Sequence, residues 1–160
     1  MHHGKRAHDD DLEHVIKRAR DVGVRKMLVT GSDLEESKNA IKLAKEFPGL
    51  CYATVGVHPC AAMSFTKHPG GPDKLLQELK QLAQESKEDG TVTAFGEIGL
   101  DYDRLHFADK ETQLEYFEKQ LDMACELNMP LFLHSRAAAE DFGNLLKSRL
   151  DRLPKKGLVH

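Results

Sequence analysis

The chain has 160 residues, with 23 basic and 26 acidic side chains and a formal net charge of −3. Hydrophobic residues make up 40% and charged residues 31%, a globular rather than a disordered composition. The length supports one domain with a sizeable core but falls short of the roughly 250 residues of a complete eightfold β/α barrel. The small negative charge excludes a protein that grips nucleic acid by bulk basicity, but not an enzyme that meets phosphate through metal ions.

Residues 9–22 place Leu12, Val15, Ile16, Ala19 and Val22 on one helical face, with Asp9 to Asp11 at the start and Gly23 past the end. VRKMLVT (24–30) reads as a short strand closed by Gly31. Ser32 or Asp33 can cap the next helix, whose inward side chains are Ser37, Ala40, Ile41 and Ala44, and Phe47-Pro48-Gly49 stops it. LCYATVGV (50–57) is the second strand, followed by a Gly- and Pro-rich loop at 68–72. A helix over 73–87 carries Leu75, Leu76, Leu79, Leu82 and Ala83, and Asp89-Gly90 turns the chain into TVTAFGEI (91–98). A polar loop leads to a helix over 110–127 with Leu114, Phe117, Leu121, Ala124 and Leu127 inward. PLFLH (130–134) is a fourth strand, 137–150 a further helix, and GLVH (157–160) a fifth strand.

Strands alternate with helices, and the strands are apolar without a two-residue alternation, as suits parallel strands buried on both faces. No linker or low-complexity segment divides the chain, so residues 1–160 read as a single domain. Two architectures fit: a five-stranded open sheet, or part of a barrel. The chain opens on a helix and closes on a strand. This predicts a partial TIM (β/α)8 barrel with about five of the eight strands, whose open edges invite association.

No apolar run approaches the ~18 residues of a membrane helix, and MHHGKRAHDDD lacks the apolar centre of a signal peptide. Cys51, Cys60 and Cys125 are dispersed, without a Cys-x-x-Cys pair. They point to a reducing compartment, the cytoplasm or the nucleus, rather than a disulfide framework.

The polar groups gather at strand ends, where parallel α/β folds build their sites. Thr30, His58, Glu97, Asp101, His134, Ser135 and His160 all fall there. A carboxylate among several imidazoles suits divalent metal, and a bridging Glu97 would allow two ions to act on a phosphodiester. A single strand-end histidine is more often structural. Glu97, inside AFGEIGL, demands a partner, and Arg104 or Arg136 is the rival to a metal. His2 and His3 are adjacent and so point to opposite sides of an extended chain, which fits a solvated end. His8, His14, His68 and His106 read as surface residues, and Met63, Met123 and Met129 as packing. Gly56, Gly96 and Gly99 belong to no phosphate-binding pattern and read as bends that let backbone approach the site.

TGSDLEESKNAIKLAKEF, ATVGVHP, AFGEIGLDYDRL, QLEYFEKQLDMACELNMPLFLHSR and GLVH stand in this order along the chain. In these motifs the sequence closely resembles the TatD family of metal-dependent deoxyribonucleases, over nearly its whole length. The resemblance implies an amidohydrolase-like TIM barrel and DNA phosphodiester hydrolysis, often of 3′-to-5′ exonuclease type. It also implies divalent ions, two of them, drawn from Mg²⁺, Mn²⁺ or Zn²⁺. Carried over by position, Glu97, His134 and His160 match metal ligands. His58 matches the histidine near the scissile phosphate, as a catalytic and substrate-binding group. Asp101 matches a catalytic position at the mouth, and Arg136 a substrate-binding one.

The sequence departs from the family at both ends. The family's first strand and its last two strands, with the carboxylate of a T-D-A-P motif, have no counterpart here. That predicts a truncated form. Two other functions stay open beside DNA hydrolysis: a non-catalytic binding or regulatory partner, and a related amidohydrolase acting on a C–N bond.

Overall fold

The computed structural model describes residues 11–153 and 157–160. Asp9, Asp10, His2, His3 and His8, read above from sequence, lie outside the described residues. The elements run α1 (Leu12–Asp21), β1 (Met27–Val29), α2 (Leu34–Glu46), β2 (Cys51–Val55), α3 (Met63–Lys67), α4 (Gly71–Glu88), β3 (Val92–Asp101), α5 (Lys110–Leu127), β4 (Leu131–Arg136), α6 (Ala139–Lys147) and β5 (Gly157–Val159). Two single 3-10 turns, Pro59–Ala61 and Tyr102–Arg104, follow β2 and β3.

Local chemistry sets many of these boundaries. The Asp33 carboxylate accepts the Glu36 N–H at 2.8 Å and starts α2. Asp109 does the same for α5, accepting from Thr112 at 2.8 Å. Asn128 ends α5 in the left-handed region, at φ 48°. Ahead of the Gly- and Pro-rich loop read from sequence at 68–72, the chain carries a 3-10 turn and α3, in which Phe65 is fully buried and stacks on Tyr116 at 4.2 Å.

The strands form one parallel sheet in the order β1-β2-β3-β4-β5. A doubly wound sheet reverses its strand order at a switch point, and this one does not. With right-handed crossovers, an unreversed order sends every connecting helix to the same face. The five strands therefore curl as a half-barrel, and the open-sheet alternative falls. Every residue of β3 except Thr93 is buried, which explains its lack of alternation.

Val55, Phe65, Leu79, Phe95, Ile98, Phe117 and Leu121 form the centre of the core. The predicted stripe of α1 does not belong to it. Ile16 is buried, but Leu12, Val15 and Val22 are exposed. Periodicity gives a helix an apolar face without supplying a partner for it.

Candidate functional site

The polar cluster lies on β3, β4 and the residues that follow β2 and β5. β3 runs further than sequence periodicity indicates and ends at Asp101, so Glu97 and Asp101 belong to one strand. The β3–β4 register pairs Gly99 with His134 and Asp101 with Arg136. His160, just past β5, is tied to β4 by its own N–H on the Leu133 carbonyl at 3.0 Å. Its carbonyl accepts the Ser135 N–H at 3.3 Å.

Glu97 is the hub. It is 8% exposed. Its Oε1 lies 2.9 Å from His160 Nε2, 3.1 Å from His134 Nδ1 and 3.8 Å from His58 Nε2. The rival partners are engaged elsewhere. Arg104 Nε faces Asp101 at 3.7 Å, and Arg136 Nε bonds Asp103 at 2.8 Å. Among the described residues, the ion-pair partners of Glu97 are imidazoles alone. The structure thus brings His58, Glu97, Asp101, His134 and His160 together. Arg136 stays at the margin, held by Asp103.

His134 is gripped from both sides, by Glu97 at Nδ1 and by Asp101 Oδ2 at Nε2, 3.2 Å away. The hydrogen bond with Glu97 raises its pKa above the ordinary imidazole value, against the effect of burial and with help from Asp101. For Glu97, burial acts upward, but the hydrogen bond from His134 and the imidazoles of His58 and His160 prevail. Its carboxyl is held below the ordinary range and is charged at neutral pH.

His58 is different. Burial drops its pKa to about 4, outweighing the attraction of Glu97, so its ring is neutral at pH 7. Its Nδ1 accepts the Cys60 N–H at 3.1 Å, which leaves the ring proton on Nε2, the atom facing Glu97. Burial raises the Cys60 thiol, and nearby Asp101 adds to it.

The donor set fits a divalent cation. Two donors on one such ion, each at about 2.1 Å, sit roughly 3–3.5 Å apart. Glu97 Oε1 meets His160 and His134 at 2.9 and 3.1 Å. His58, Glu97 and His134 offer atoms that all lie within 4.8 Å of one another. His58 is the poorest donor of these, because its facing nitrogen carries the proton.

Two buried side chains that hold backbone beside the cluster escape sequence reasoning. Gln113 and Gln120, one heptad apart on α5, are 1% and 2% exposed. Gln120 pairs with both backbone groups of Val57, accepting its N–H at 2.8 Å and donating to its carbonyl at 3.1 Å. Gln113 accepts the Asp101 N–H at 2.8 Å and donates to the Asp101 carbonyl at 3.0 Å. One helix thereby holds the residue before His58 and the backbone of Asp101. The available signal is spacing, since 113, 117, 120 and 124 form one helical stripe with Phe117 and Ala124.

Gln120→Leu keeps bulk and strands two buried polar groups, which costs about 2–5 kcal/mol. Urea denaturation is expected to show that loss of stability. A change below about 0.5 kcal/mol would mean that the pairing is not formed in solution.

Gly99, at φ 152°, explains how the strands come so close. A Cβ there would collide with the backbone carbonyl of His134. Gly56 likewise packs its backbone on Gly96, where a Cβ would sit 2.8 Å from the Gly96 Cα. These glycines bring backbone against backbone beside the cluster, as their sequence positions indicate.

Comparison with known proteins gives a consistent picture. The family model "TatD related DNase" matches residues 1–160. The chain is 49% identical over 161 residues to "Deoxyribonuclease Tat-D" of Schizosaccharomyces pombe, covering 100% of this chain and 51% of that protein. It is 41% identical over 150 residues to "3'-5' ssDNA/RNA exonuclease TatD" of Yersinia pseudotuberculosis, covering 94% of this chain and 53% of that one.

Among solved structures, an uncharacterized amidohydrolase from Saccharomyces cerevisiae superposes with a TM-score of 0.82 at 37% identity, over 92% of this chain and 47% of its own. A hydrolase TatD family protein from Entamoeba histolytica superposes with a TM-score of 0.80 at 32% identity, over 100% of this chain and 52% of its own. The chain spans about half the length of the curated relatives it matches. With its half-barrel and its carboxylate ringed by imidazoles, the chain belongs to the TatD-related DNase family.

Proposed function

We propose that this chain carries residues of the centre of a metal-dependent nuclease that hydrolyses DNA phosphodiesters, acting from the 3′ end. The observation that carries this reading is Glu97, a buried carboxylate whose ion-pair partners among the described residues are histidines from three different strand ends. The printed names of the relatives, a deoxyribonuclease and a 3′-5′ ssDNA/RNA exonuclease, support it.

In this reading Glu97, His134 and His160 would hold two divalent cations, with Mg²⁺, Mn²⁺ and Zn²⁺ as the candidates. Such ions, when bound, supply positive charge against phosphoryl oxygens and acidify water. Asp101 would orient His134 through its Nε2, keeping Nδ1 turned toward Glu97. His58, neutral and with its proton on Nε2, donates to a phosphoryl oxygen and steadies the scissile group. Arg136 lies further out and contacts a more distant phosphate. Three free thiols fit placement in the cytoplasm or nucleus. No helix among the described residues is long and apolar enough to cross a membrane.

The test is a cleavage assay on end-labelled single-stranded DNA, single-stranded RNA and a cyclic amide, with Mg²⁺, Mn²⁺, Zn²⁺ or chelator. Metal-dependent shortening of DNA from the 3′ end supports the reading. Turnover of the amide with DNA left intact transfers the site to C–N hydrolysis.

A second reading is favoured by exposed Leu28 on β1 and exposed Leu158 and Val159 on β5, the outer strands. It is that the chain associates through those strands with a binding or regulatory partner. Light scattering at micromolar concentration separates a monomer from such an assembly.

A further inference from the structure

The loop between β3 and α5 exposes Phe107, at 51%, and Leu105, at 43%. Apart from Leu150, the other large exposed apolar side chains among the described residues sit on α1, on β1 and its approach, or on β5. Those lie at the outer strands or beside them. Phe107 does not, because β3 is the middle strand of five.

Nor is this loop loosely held. The Asp101 carboxylate caps its first turn, accepting the Asp103 N–H at 3.2 Å. Phe107 closes on Arg104 through an N–H to carbonyl bond of 3.1 Å. Gln113 donates to the carbonyl of the buried Ala108 at 2.9 Å. The Phe107 ring is therefore presented to solvent by a fixed backbone, and it packs against the His106 ring at 4.2 Å. An aromatic face offered in this way is pre-organised for a flat apolar partner.

The charge around it indicates which one. Arg104 and Arg136 flank the loop with side chains 50% and 54% exposed. Arg104 reaches back to Asp101, which touches His134 of the cluster. Arg136 is paired with Asp103 of the loop itself, so two guanidinium groups and an exposed ring share this end of the sheet with the cluster. That is the arrangement by which single-stranded nucleic acid is held, with bases stacked on aromatic side chains and phosphates on Arg.

We propose that the 102–109 loop is a nucleobase platform: Phe107 stacks on an unpaired base of a single strand, and Arg104 and Arg136 meet its phosphates while a phosphodiester lies at Glu97 and His134. This rests on the reading of the cluster as a phosphodiesterase centre. It adds the residue that would read an unpaired base, Phe107, for which a fully paired duplex end offers no partner.

The chain contains no tryptophan, so Phe107→Trp introduces a single reporter. The full 160-residue chain carrying it is titrated in Ca²⁺ and in chelator with four probes. These are a short oligodeoxynucleotide, the same strand with abasic residues at its 3′ end, the matching oligoribonucleotide, and a blunt duplex. The intact single strand is expected to quench and shift the tryptophan emission, while the abasic strand and the duplex do not. Equal quenching by the ribonucleotide means a platform shared by DNA and RNA, and its absence means one confined to DNA.

Fluorescence anisotropy supplies a second measure. Phe107→Ala is expected to weaken single-strand binding about 5- to 150-fold, with recovery in Phe107→Tyr. Identical affinities for wild type and Phe107→Ala, equal responses to intact and abasic strands, or no response to any probe overturn the proposal. Quenching without metal-dependent cleavage would keep the platform and remove the nuclease reading. Cleavage without quenching would do the reverse.

Discussion

Glu97→Gln is expected to weaken Mn²⁺ binding by at least ~100-fold and, under the proposed nuclease reading, to abolish metal-dependent cleavage. Loss of a group that merely orients a ligand already costs about 10–100-fold. Glu97 is no such peripheral group, since three imidazoles converge on its Oε1 at 2.9, 3.1 and 3.8 Å. The substitution keeps the volume and one acceptor for His134 but removes the charge.

Isothermal titration calorimetry with Mn²⁺ and Zn²⁺ measures affinity and stoichiometry directly. Thermal melting gives an independent view. A ligand at 100 times its Kd stabilises the folded state by about 2.7 kcal/mol, so wild type should melt higher with Mn²⁺ and the variant should not. Unchanged stoichiometry and affinity in Glu97→Gln would show that the ions bind elsewhere, and the assignment of this cluster would fall.

The second large effect concerns Gly99→Ala. The added methyl group meets the backbone carbonyl of His134, across a strand pair in which those two residues are in register. The residue also adopts φ 152°, which a side chain disfavours. Neither backbone can yield without separating β3 from β4, and those strands carry Glu97, Asp101 and His134. A loss of about 4 kcal/mol or more is expected, a melting temperature lower by roughly 8–16 °C for a domain of this size.

Gly143→Ala is the matched control. Gly143 lies inside α6 with open space where its Cβ would stand. Alanine there should stabilise the protein by about 0.5–1 kcal/mol. If Gly99→Ala melts within about 2 °C of wild type, the tight β3–β4 approach does not exist in solution.

Much of the site is legible from residues alone. β2 and β3 are apolar runs bounded by glycine, proline and turn residues, so local pattern is enough to find them. Glu97 stands out because a carboxylate between apolar neighbours in such a run needs an opposite charge or an ion. His58, His134 and His160 follow from their places at strand ends, where parallel strands converge. The family motifs lie in these same segments.

Other features depend on what the chain brings together from a distance. The choice between half-barrel and open sheet rests on strand order, which no local window contains. Arg136 shares a rim with the cluster by sequence position, yet its guanidinium turns to Asp103. The role of His58 depends on the Cys60 N–H that takes its Nδ1, a detail of the turn after β2. Gln113 and Gln120 look like solvated helix residues until α5 is laid against Val57 and Asp101.

Hydrophobic pattern and backbone propensity are properties of short stretches, and they determine where this chain makes strands and helices and which strand ends carry chemistry. Only the tertiary structure decides which nitrogen of a histidine is free, which arginine is engaged, and which polar side chains are buried. Those outcomes depend on a few hydrogen bonds between segments far apart in the chain, each set by distances of a few tenths of an ångström.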